Sequence, residues 1–206
     1  MLTIWGRTNS INVQKVMWTV GELGLAHERI DAGGQFGGLD TPDYGELNPN
    51  RRVPTIRDGN VVVWESNACV RYLAARYGAG DLWPADPAER AGADMWMDWQ
   101  LSTLLPDMMV VFWGLIRTPE EQRDHAAIKA AAERLGGLWR MLDDRLATRE
   151  FVAGNRLTMG DIPVGAACYR YYGLPIERPG LPHLEAWYGR LKQRASYREH
   201  VMLPIT

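Results

Sequence analysis

The segment from Asn48 to Ser66, NPNRRVPTIRDGNVVVWES, most constrains what this chain can fold into. Val53 precedes a proline, which restricts it to an extended backbone, and Pro54 has no N–H to donate. The Val53 peptide is therefore predicted to lie on an exposed edge. Such an edge can pair with the main chain of a second peptide.

The rest of this segment predicts a hairpin followed by a helix. An Asp-Gly-Asn turn at 58–60 separates the β-rich runs 54–57 and 61–64, which is typical of an antiparallel hairpin. Ser66 then precedes a helical pattern and is predicted to be the N-cap, with the Glu65 carboxylate just before it. A helix N-terminus attracts anions. The segment thus offers three binding features: an edge for a peptide group, a carboxylate for an amine, and a helix start with a hydroxyl for a carboxylate. Together they suit a small zwitterionic peptide.

This order of residues resembles the glutathione-binding half of the cytosolic glutathione transferases, whose thioredoxin-like signature is NP-x-x-x-VP followed by ES. The resemblance implies that the Val53-Pro54 peptide is cis and pairs with the cysteinyl backbone of glutathione. It also implies that Glu65 and Ser66 hold the γ-glutamyl end. Arg51 is a departure, because the family commonly has Gly there. If that position needs a positive φ, Arg51 strains or reshapes the turn.

The residues before the hairpin predict a strand, a helix and a second strand. Leu2–Trp5 alternates as a strand does, Ser10 opens a helical pattern, and His27–Ile30 is the second strand. The Gly-rich connection Asp31–Leu47 is expected to hold one helical turn at its end, capped by Thr41. The resulting order, β-α-β-(α)-β-β-α, is thioredoxin-like.

The pattern changes in the small-residue and proline stretch 78–84, and only helical patterns follow. The predicted fold class is therefore α/β plus all-α: a thioredoxin-like glutathione-binding domain at 1–80, a linker at 81–87 and an all-helical domain at 88–206. Pro106 is expected to kink the first of the later helices, because it removes one backbone hydrogen bond. The helical patterns lie at Ala88–Ile116, Glu120–Leu146, Thr158–Tyr172 and Leu184–Arg194.

One later motif extends the resemblance over nearly the whole chain. Thr158 and Asp161 have the spacing of a capping box, with apolar neighbours at Leu157 and Ile162. A lost cap costs roughly 1 kcal/mol, so this motif is expected to serve folding rather than chemistry. The same box before a buried helix is characteristic of the helical domain of the transferases.

The start of the first helix carries the candidate catalytic residues. A glutathione enzyme must lower the pKa of the thiol, and hydrogen-bond donors at a helix start do this. Ser10 and Asn12 resemble the T/S-x-N-x-x-K start of bacterial transferases of the beta, nu or theta type, in which both residues contact the glutathione sulfur. Thr8 and Asn9 are further candidates, and Ser10 could equally be a plain N-cap. The tyrosine start of the alpha, mu and pi classes is not matched, because the first tyrosine is Tyr44.

The glycyl carboxylate of glutathione needs a cation or a hydrogen-bond donor. The candidates are Arg52, Arg51 and Gln35, and Arg52 is the best because it directly precedes Val53. The alternative is that both arginines are solvated loop residues.

The electrophile pocket is expected between the two domains, against the first helix of the helical domain. Its predicted lining is Met108, Phe112 and Trp113, from a stretch rich in aromatic residues and methionine. Such a stretch is also typical of a core or of a dimer interface.

Composition limits the partners and the location. The net charge is −2 and the basic residues are interspersed with acidic ones, which argues against nucleic acid. No apolar run approaches the roughly 20 residues of a membrane span, so a cytoplasmic location is expected and no membrane partner. Cys69 and Cys168 lack metal-ligand spacing; both are predicted to be buried thiols, and no metal is expected. With no cysteine near Ser10, a mixed disulfide with the enzyme is not expected.

The leading functional prediction is a glutathione transferase that conjugates the glutathione thiolate to small apolar electrophiles in detoxification. One alternative is glutathione-dependent reduction of a disulfide or peroxide, and a second is a non-enzymatic binding module. The resemblance also implies a symmetric homodimer. Its candidate apolar interface residues, which could equally belong to the core, are Val70, Tyr77, Met95 and Trp99.

Overall fold

Four strands near the N-terminus form one mixed sheet in the computed structural model, which describes residues 1–206. The strands lie in the order β2-β1-β3-β4. β1 is parallel to β2 and antiparallel to β3, and β3 and β4 form the predicted antiparallel hairpin. The strands are β1 Leu2–Trp5, β2 His27–Ile30, β3 Thr55–Asp58 and β4 Val61–Trp64.

Nine α-helices complete the fold, two among the strands and seven after them, which confirms the predicted fold class. They are α1 Ile11–Glu22, α2 Pro42–Leu47, α3 Ser66–Tyr77, α4 Pro87–Trp99, α5 Leu105–Phe112, α6 His125–Leu146, α7 Asp161–Gly173, α8 Pro182–Gln193 and α9 Ala195–His200. The helical patterns did not predict α9 as a separate helix. The division at 1–80, 81–87 and 88–206 stays a prediction.

Helix α1 belongs to two hydrophobic cores at once. Val13 and Val16 pack into the smaller core between the sheet and α3. Ile11 and Trp18 belong to the larger core of the helical region, where Trp18 meets Tyr197 edge-on with ring centroids 4.7 Å apart. Because α1 is buried from both sides, the position of its first turn is set by both parts of the chain.

The expected irregularity near Pro106 takes the form of a π-helical turn. The turn covers Gln100–Leu104 and connects α4 to α5. Pro106 cannot donate to the carbonyl four residues before it, and a wider turn absorbs that missing bond. A second π-helical turn, Trp113–Arg117, ends this helical stretch. Gln100 is fully buried in the first of these turns.

The helical stretch Pro87–Arg117 is long and apolar enough to cross a membrane by length and composition alone. The test is weak evidence for a membrane span, since core helices of soluble proteins also pass it. Asp94 and Asp107 of this stretch bond Arg71 and Arg134 of α3 and α6. The cytoplasmic location stays a prediction.

Asp161 heads α7, but the predicted capping box is only half formed. The Asp161 carboxylate accepts the Thr158 N–H at 2.9 Å, as such a box requires. The Thr158 hydroxyl, however, donates to that carboxylate at 3.3 Å, and the Asp161 N–H goes to the Thr158 carbonyl. The carboxylate also accepts the Val152 N–H and the Trp187 indole N–H, each at 3.0 Å. Asp161 therefore ties the preceding loop and α8 to the start of α7.

The two cysteines are buried free thiols, as predicted. Cys69 and Cys168 have no exposed surface. Burial raises the pKa of both thiols, because the thiolate is poorly solvated in an apolar interior.

Candidate functional site

The main chain before β3 presents the predicted open edge. The Val53-Pro54 peptide is cis, as the resemblance implies. Tyr44 Oη–H and Asn48 Nδ2–H donate to the Arg52 carbonyl at 2.7 and 2.8 Å and so hold the turn that leads into this peptide. The N–H and C=O of Val53 make no hydrogen bond within the chain. They are free to pair with a peptide ligand.

Arg51 has a φ of 50°, so the turn adopts the left-handed conformation that favours glycine. Two hydrogen bonds offset the strain: the Arg51 guanidinium donates to the carbonyls of Leu39 and Thr41, both at 3.0 Å. A Cβ at Gly45 would lie 2.6 Å from the same guanidinium. Arg51 is thus committed to closing this loop, whereas the side chain of Arg52 makes no hydrogen bond within the chain.

The start of α3 differs from the sequence prediction by one residue. The N-cap is Glu65, at a φ of 68°, and Ser66 is the first residue of the helix. The Ser66 hydroxyl does not cap; it donates to Asn12 Oδ1 at 3.2 Å. The Glu65 carboxylate accepts from Asn50 Nδ2 at 3.3 Å. The predicted γ-glutamyl residues are therefore hydrogen-bonded to Asn12 and Asn50, which line the adjoining cleft.

A buried lysine lies directly behind Ser66. Lys15 Nζ has no exposed surface and donates to Gln100 Oε1 at 2.9 Å, to Asn67 Oδ1 at 3.4 Å and to Ser66 Oγ at 3.5 Å. All three acceptors are neutral. Burial, and after it the nearby charge of Arg170, lower the pKa of Lys15 to about 7. Because Ser66 accepts from Lys15, its own hydrogen is available for Asn12.

Ser10 and Asn12 both face the cleft with unused donors. Ser10 is the N-cap of α1, yet its hydroxyl makes no capping bond and no other hydrogen bond within the chain. Asn12 Oδ1 accepts a hydrogen bond from Ser66. The side-chain N–H groups of Asn12 make no hydrogen bond within the chain. Of the two further candidates, Asn9 lines the cleft and Thr8 does not.

The cleft between the two domains has a volume of about 490 Å³. Six predicted site residues line it: Ser10, Asn12, Arg52, Val53, Phe112 and Trp113. Five others lie outside its lining: Pro54, Glu65, Ser66, Gln35 and Met108. Pro54 and Ser66 are buried just behind the wall, and Gln35 is exposed on the short 3₁₀ helix Gly34–Phe36.

The methionine in the cleft is Met109 rather than the predicted Met108. Met108 is 2 % exposed and packs in the core of the helical domain, whereas Met109 is 38 % exposed and lines the cleft. Successive residues of a helix point about 100° apart, so a difference of one position exchanges core and cleft.

Sequence reasoning missed three arginines in the cleft: Arg7, Arg117 and Arg170. Arg170 is only 7 % exposed and donates to the Asn9 carbonyl at 2.8 Å. Burial, with Arg117 and then Arg7 nearby, lowers the pKa of Arg170 to about 10. Burial and Arg117 likewise lower the pKa of Arg7. No local signal distinguishes these arginines from the many others in the chain.

Family models match both parts of the chain. "Glutathione S-transferase, N-terminal domain" matches residues 9–76, and "Glutathione S-transferase, C-terminal domain" matches residues 94–195. The two matches lie on opposite sides of the break in the sequence pattern at residues 78–84.

The chain is also similar over its full length to named proteins. Glutathione S-transferase GstB of Escherichia coli K12 is 42% identical over 208 residues, with 100% of both chains covered. A solved theta class glutathione S-transferase from Xanthomonas axonopodis pv. citri, with glutathione bound, is 52% identical with a TM-score of 0.95, covering 100% of this chain and 99% of that one. Glutathione S-transferase 3 of Zea mays is 28% identical, with 97% of this chain and 93% of that protein covered.

Proposed function

The chain belongs to the glutathione S-transferase family, and we propose that its cleft holds glutathione as the thiolate and joins the sulfur to a small electrophile. The observation that carries this proposal is the pair of free donors at the start of α1. Ser10 Oγ–H and the Asn12 amide face the cleft without partners in the chain. Both are available to a sulfur anion bound there.

The bound glutathione lies along the edge between the loop before β3 and the start of α3. Its cysteinyl backbone pairs with the free N–H and C=O of Val53, beside the cis peptide to Pro54. Its glycyl carboxylate pairs with the uncommitted guanidinium of Arg52, which lines the cleft. Its γ-glutamyl amine and carboxylate are held by Glu65 and Ser66. Gln35 is exposed outside the cleft lining, so the geometry favours Arg52 for the glycyl end.

The thiolate forms because the site favours the charged form of the sulfur. An ordinary thiol has a pKa of about 8.5, and hydrogen bonds to the thiolate lower it. Ser10 and Asn12 supply two such bonds, and the N-terminus of α1 adds the positive end of a helix dipole. The proton leaves to solvent. The sulfur then attacks the electrophilic carbon, and the leaving group departs with the electron pair.

The electrophile lies against the helical-domain wall of the cleft. Phe112 and Trp113 support this placement, together with Met109 in place of the predicted Met108. The same thiolate could attack a small disulfide, so glutathione-dependent reduction is the alternative reaction at this site. Neither Cys69 nor Cys168 reaches the cleft, so a disulfide with the enzyme itself plays no part in either scheme.

The double variant Ser10→Ala, Asn12→Ala tests the assigned roles. With an activated aryl chloride, kcat/KM is expected to fall by at least about 100-fold, the usual cost of losing preorganised donors to an anion. Thr8→Ala is the matched control, because Thr8 carries a hydroxyl in the same loop but lies outside the cleft. If the double variant keeps its activity, neither residue has the role assigned to it. The alternative is tested by supplying glutathione and a small disulfide. If oxidised glutathione forms and the aryl chloride is not conjugated, the protein is a reductase instead.

We also propose that the protein is a homodimer. Exposed apolar side chains on the edge strand β4, on α4 and α5 and on the π-helical turn between these two helices support an interface there: Val61, Val62, Trp64, Met95, Leu101 and Val110. Tyr77 is exposed near this surface, but Val70 is fully buried and belongs to the core. A molar mass in solution of twice the 23.3 kDa of one chain is expected, and a mass of one chain overturns the proposal.

A further inference from the structure

The cleft is lined by five arginines and by no acidic residue. Arg51 and Arg52 lie at its glycyl end, and Arg117 and Arg170 lie against Phe112 on the side of the electrophile. Arg7 packs beside Gly33 and Gly34, near Val53. None of these five forms an ion pair with an aspartate or a glutamate. The cleft therefore carries positive charge that no acidic side chain balances.

Arg7, Arg117 and Arg170 lie close enough together to affect one another. Arg7 and Arg117 both lower the pKa of Arg170, and Arg117 lowers that of Arg7. Like charges that are partly removed from water cost free energy unless a counter-charge is bound. The main-chain oxygens of Asn9 and Thr206 satisfy only part of Arg170 and Arg117, and the guanidinium of Arg7 makes no hydrogen bond within the chain.

Glutathione does not account for these three charges in the proposed binding mode. Its glycyl carboxylate is assigned to Arg52 and its γ-glutamyl carboxylate to Ser66. Arg170 is instead bonded to the carbonyl of Asn9, the residue that precedes Ser10. Its guanidinium therefore lies beside the place where the sulfur meets the second substrate.

Aromatic rings accompany the charges on the same wall. The Arg170 guanidinium carbon lies 4.5 Å from the centroid of the Phe112 ring. The Arg117 guanidinium carbon lies 5.6 Å from that centroid and 5.9 Å from the Trp113 ring. Stacking on a ring fixes a guanidinium while leaving its edge free to bond a carboxylate. The wall thus combines an apolar surface with cationic donors.

We infer that the second substrate is an electrophile bearing an anionic group, such as a carboxylate, which pairs with Arg7 and Arg170 while its apolar body lies on Phe112 and Trp113. This rests on the proposed glutathione transfer and narrows its substrate class from the apolar electrophiles that the sequence predicted. In the reaction with an anionic aryl chloride, the carbon–sulfur bond forms and the carbon–chlorine bond breaks. Chloride leaves with the electron pair, and the carboxylate is unchanged.

A matched pair of substrates tests this inference. Chloronitrobenzoate and chloronitrobenzamide, with the nitro group ortho to chlorine, differ in charge but react by the same substitution. Each kcat/KM is divided by the uncatalysed rate constant of that compound, and the ratio of the two results is the charge preference. We expect the wild-type protein to prefer the anion by about 10-fold or more, the usual strength of a charge-assisted hydrogen bond.

The variant Arg7→Gln is expected to lower this charge preference by about 10-fold. Arg7 is only half-buried and its side chain has no hydrogen bond to lose, so the variant is expected to fold. Arg140→Gln on the exposed face of α6 removes the same charge away from the cleft and should keep the wild-type preference.

The possible failures are distinguishable. If the wild-type protein conjugates neither compound, the proposed transfer itself is wrong. If it conjugates the amide with no preference for the anion, or if Arg7→Gln leaves the preference unchanged, the inference is overturned and the transfer stands. If Arg7→Gln only raises the KM for glutathione, the arginines serve glutathione and the inference is again overturned.

Discussion

Each domain completely buries one charged side chain that has no ion-pair partner, Lys15 on α1 and Asp161 on α7. Neither has any exposed surface. Asp161 accepts four hydrogen bonds of 2.9 to 3.3 Å, all from the helical domain. Lys15 donates to three neutral oxygens from both domains, and only the bond to Gln100 is as short as 2.9 Å.

The difference separates a residue that serves the fold from one that also serves the site. Desolvation opposes the charge in both places: it raises the pKa of Asp161 to about 6 and lowers that of Lys15 to about 7. The donors around Asp161 hold together a loop and two helices. The acceptors around Lys15 include Ser66, which in turn orients Asn12. A buried charge therefore acts through whichever groups supply its hydrogen bonds.

The largest expected effect comes from Asp161→Ala, which leaves four buried donors without an acceptor. We expect it to lower the free energy of unfolding by about 3 to 5 kcal/mol, measured by urea unfolding at neutral pH. Asp144→Ala, at an exposed position of α6, is the control and should change stability by less than about 0.5 kcal/mol. Equal effects of the two variants would refute the structural role of Asp161.

The next effect is that of Ser66→Ala on the glutathione site. The variant removes the hydroxyl that links Lys15 to Asn12 and that is assigned to the γ-glutamyl carboxylate. A hydrogen bond to a charged group contributes about 1.5 to 3 kcal/mol, so the KM for glutathione should rise by about 10- to 100-fold. Ser102→Ala, an exposed serine of the first π-helical turn, is the matched control. An unchanged KM would show that glutathione does not use this hydroxyl.

The smallest expected effect is a dependence of the free energy of unfolding on pH, caused by Lys15. Its pKa is about 7 in the folded chain and 10.5 as the unperturbed value, so the unfolded chain binds more protons between these limits. Stability is therefore expected to rise with pH in this window, by about 1.5 kcal/mol from pH 7 to pH 8.5. Lys15→Met should lack this rise when urea unfolding of both proteins is compared at the two pH values. If the stability of Lys15→Met changed between the two pH values by as much as that of the wild-type protein, the ammonium of Lys15 would not be desolvated as its burial indicates.

Helical periodicity predicted most elements of the fold, but it did not orient every helix. Residues 108–112 are apolar without interruption, so no polar position marks which side faces the core. The choice between Met108 and Met109 was therefore not available from the pattern. Similarly, Ser66 was predicted to be an N-cap because of its residue type. It is instead the first helical residue, because Asn12 and Lys15 from α1 bond its hydroxyl.

The sequence by itself determined the hairpin, the start of α1 and the family signature from Asn48 to Ser66. Each of these depends on interactions between residues a few positions apart, which leave a readable local pattern. Only the tertiary structure decided that Arg7, Arg117 and Arg170 share one cleft, and that Lys15 meets Gln100. Those residues are far apart in the chain, and they come together because α1 packs against the sheet on one side and the helical domain on the other.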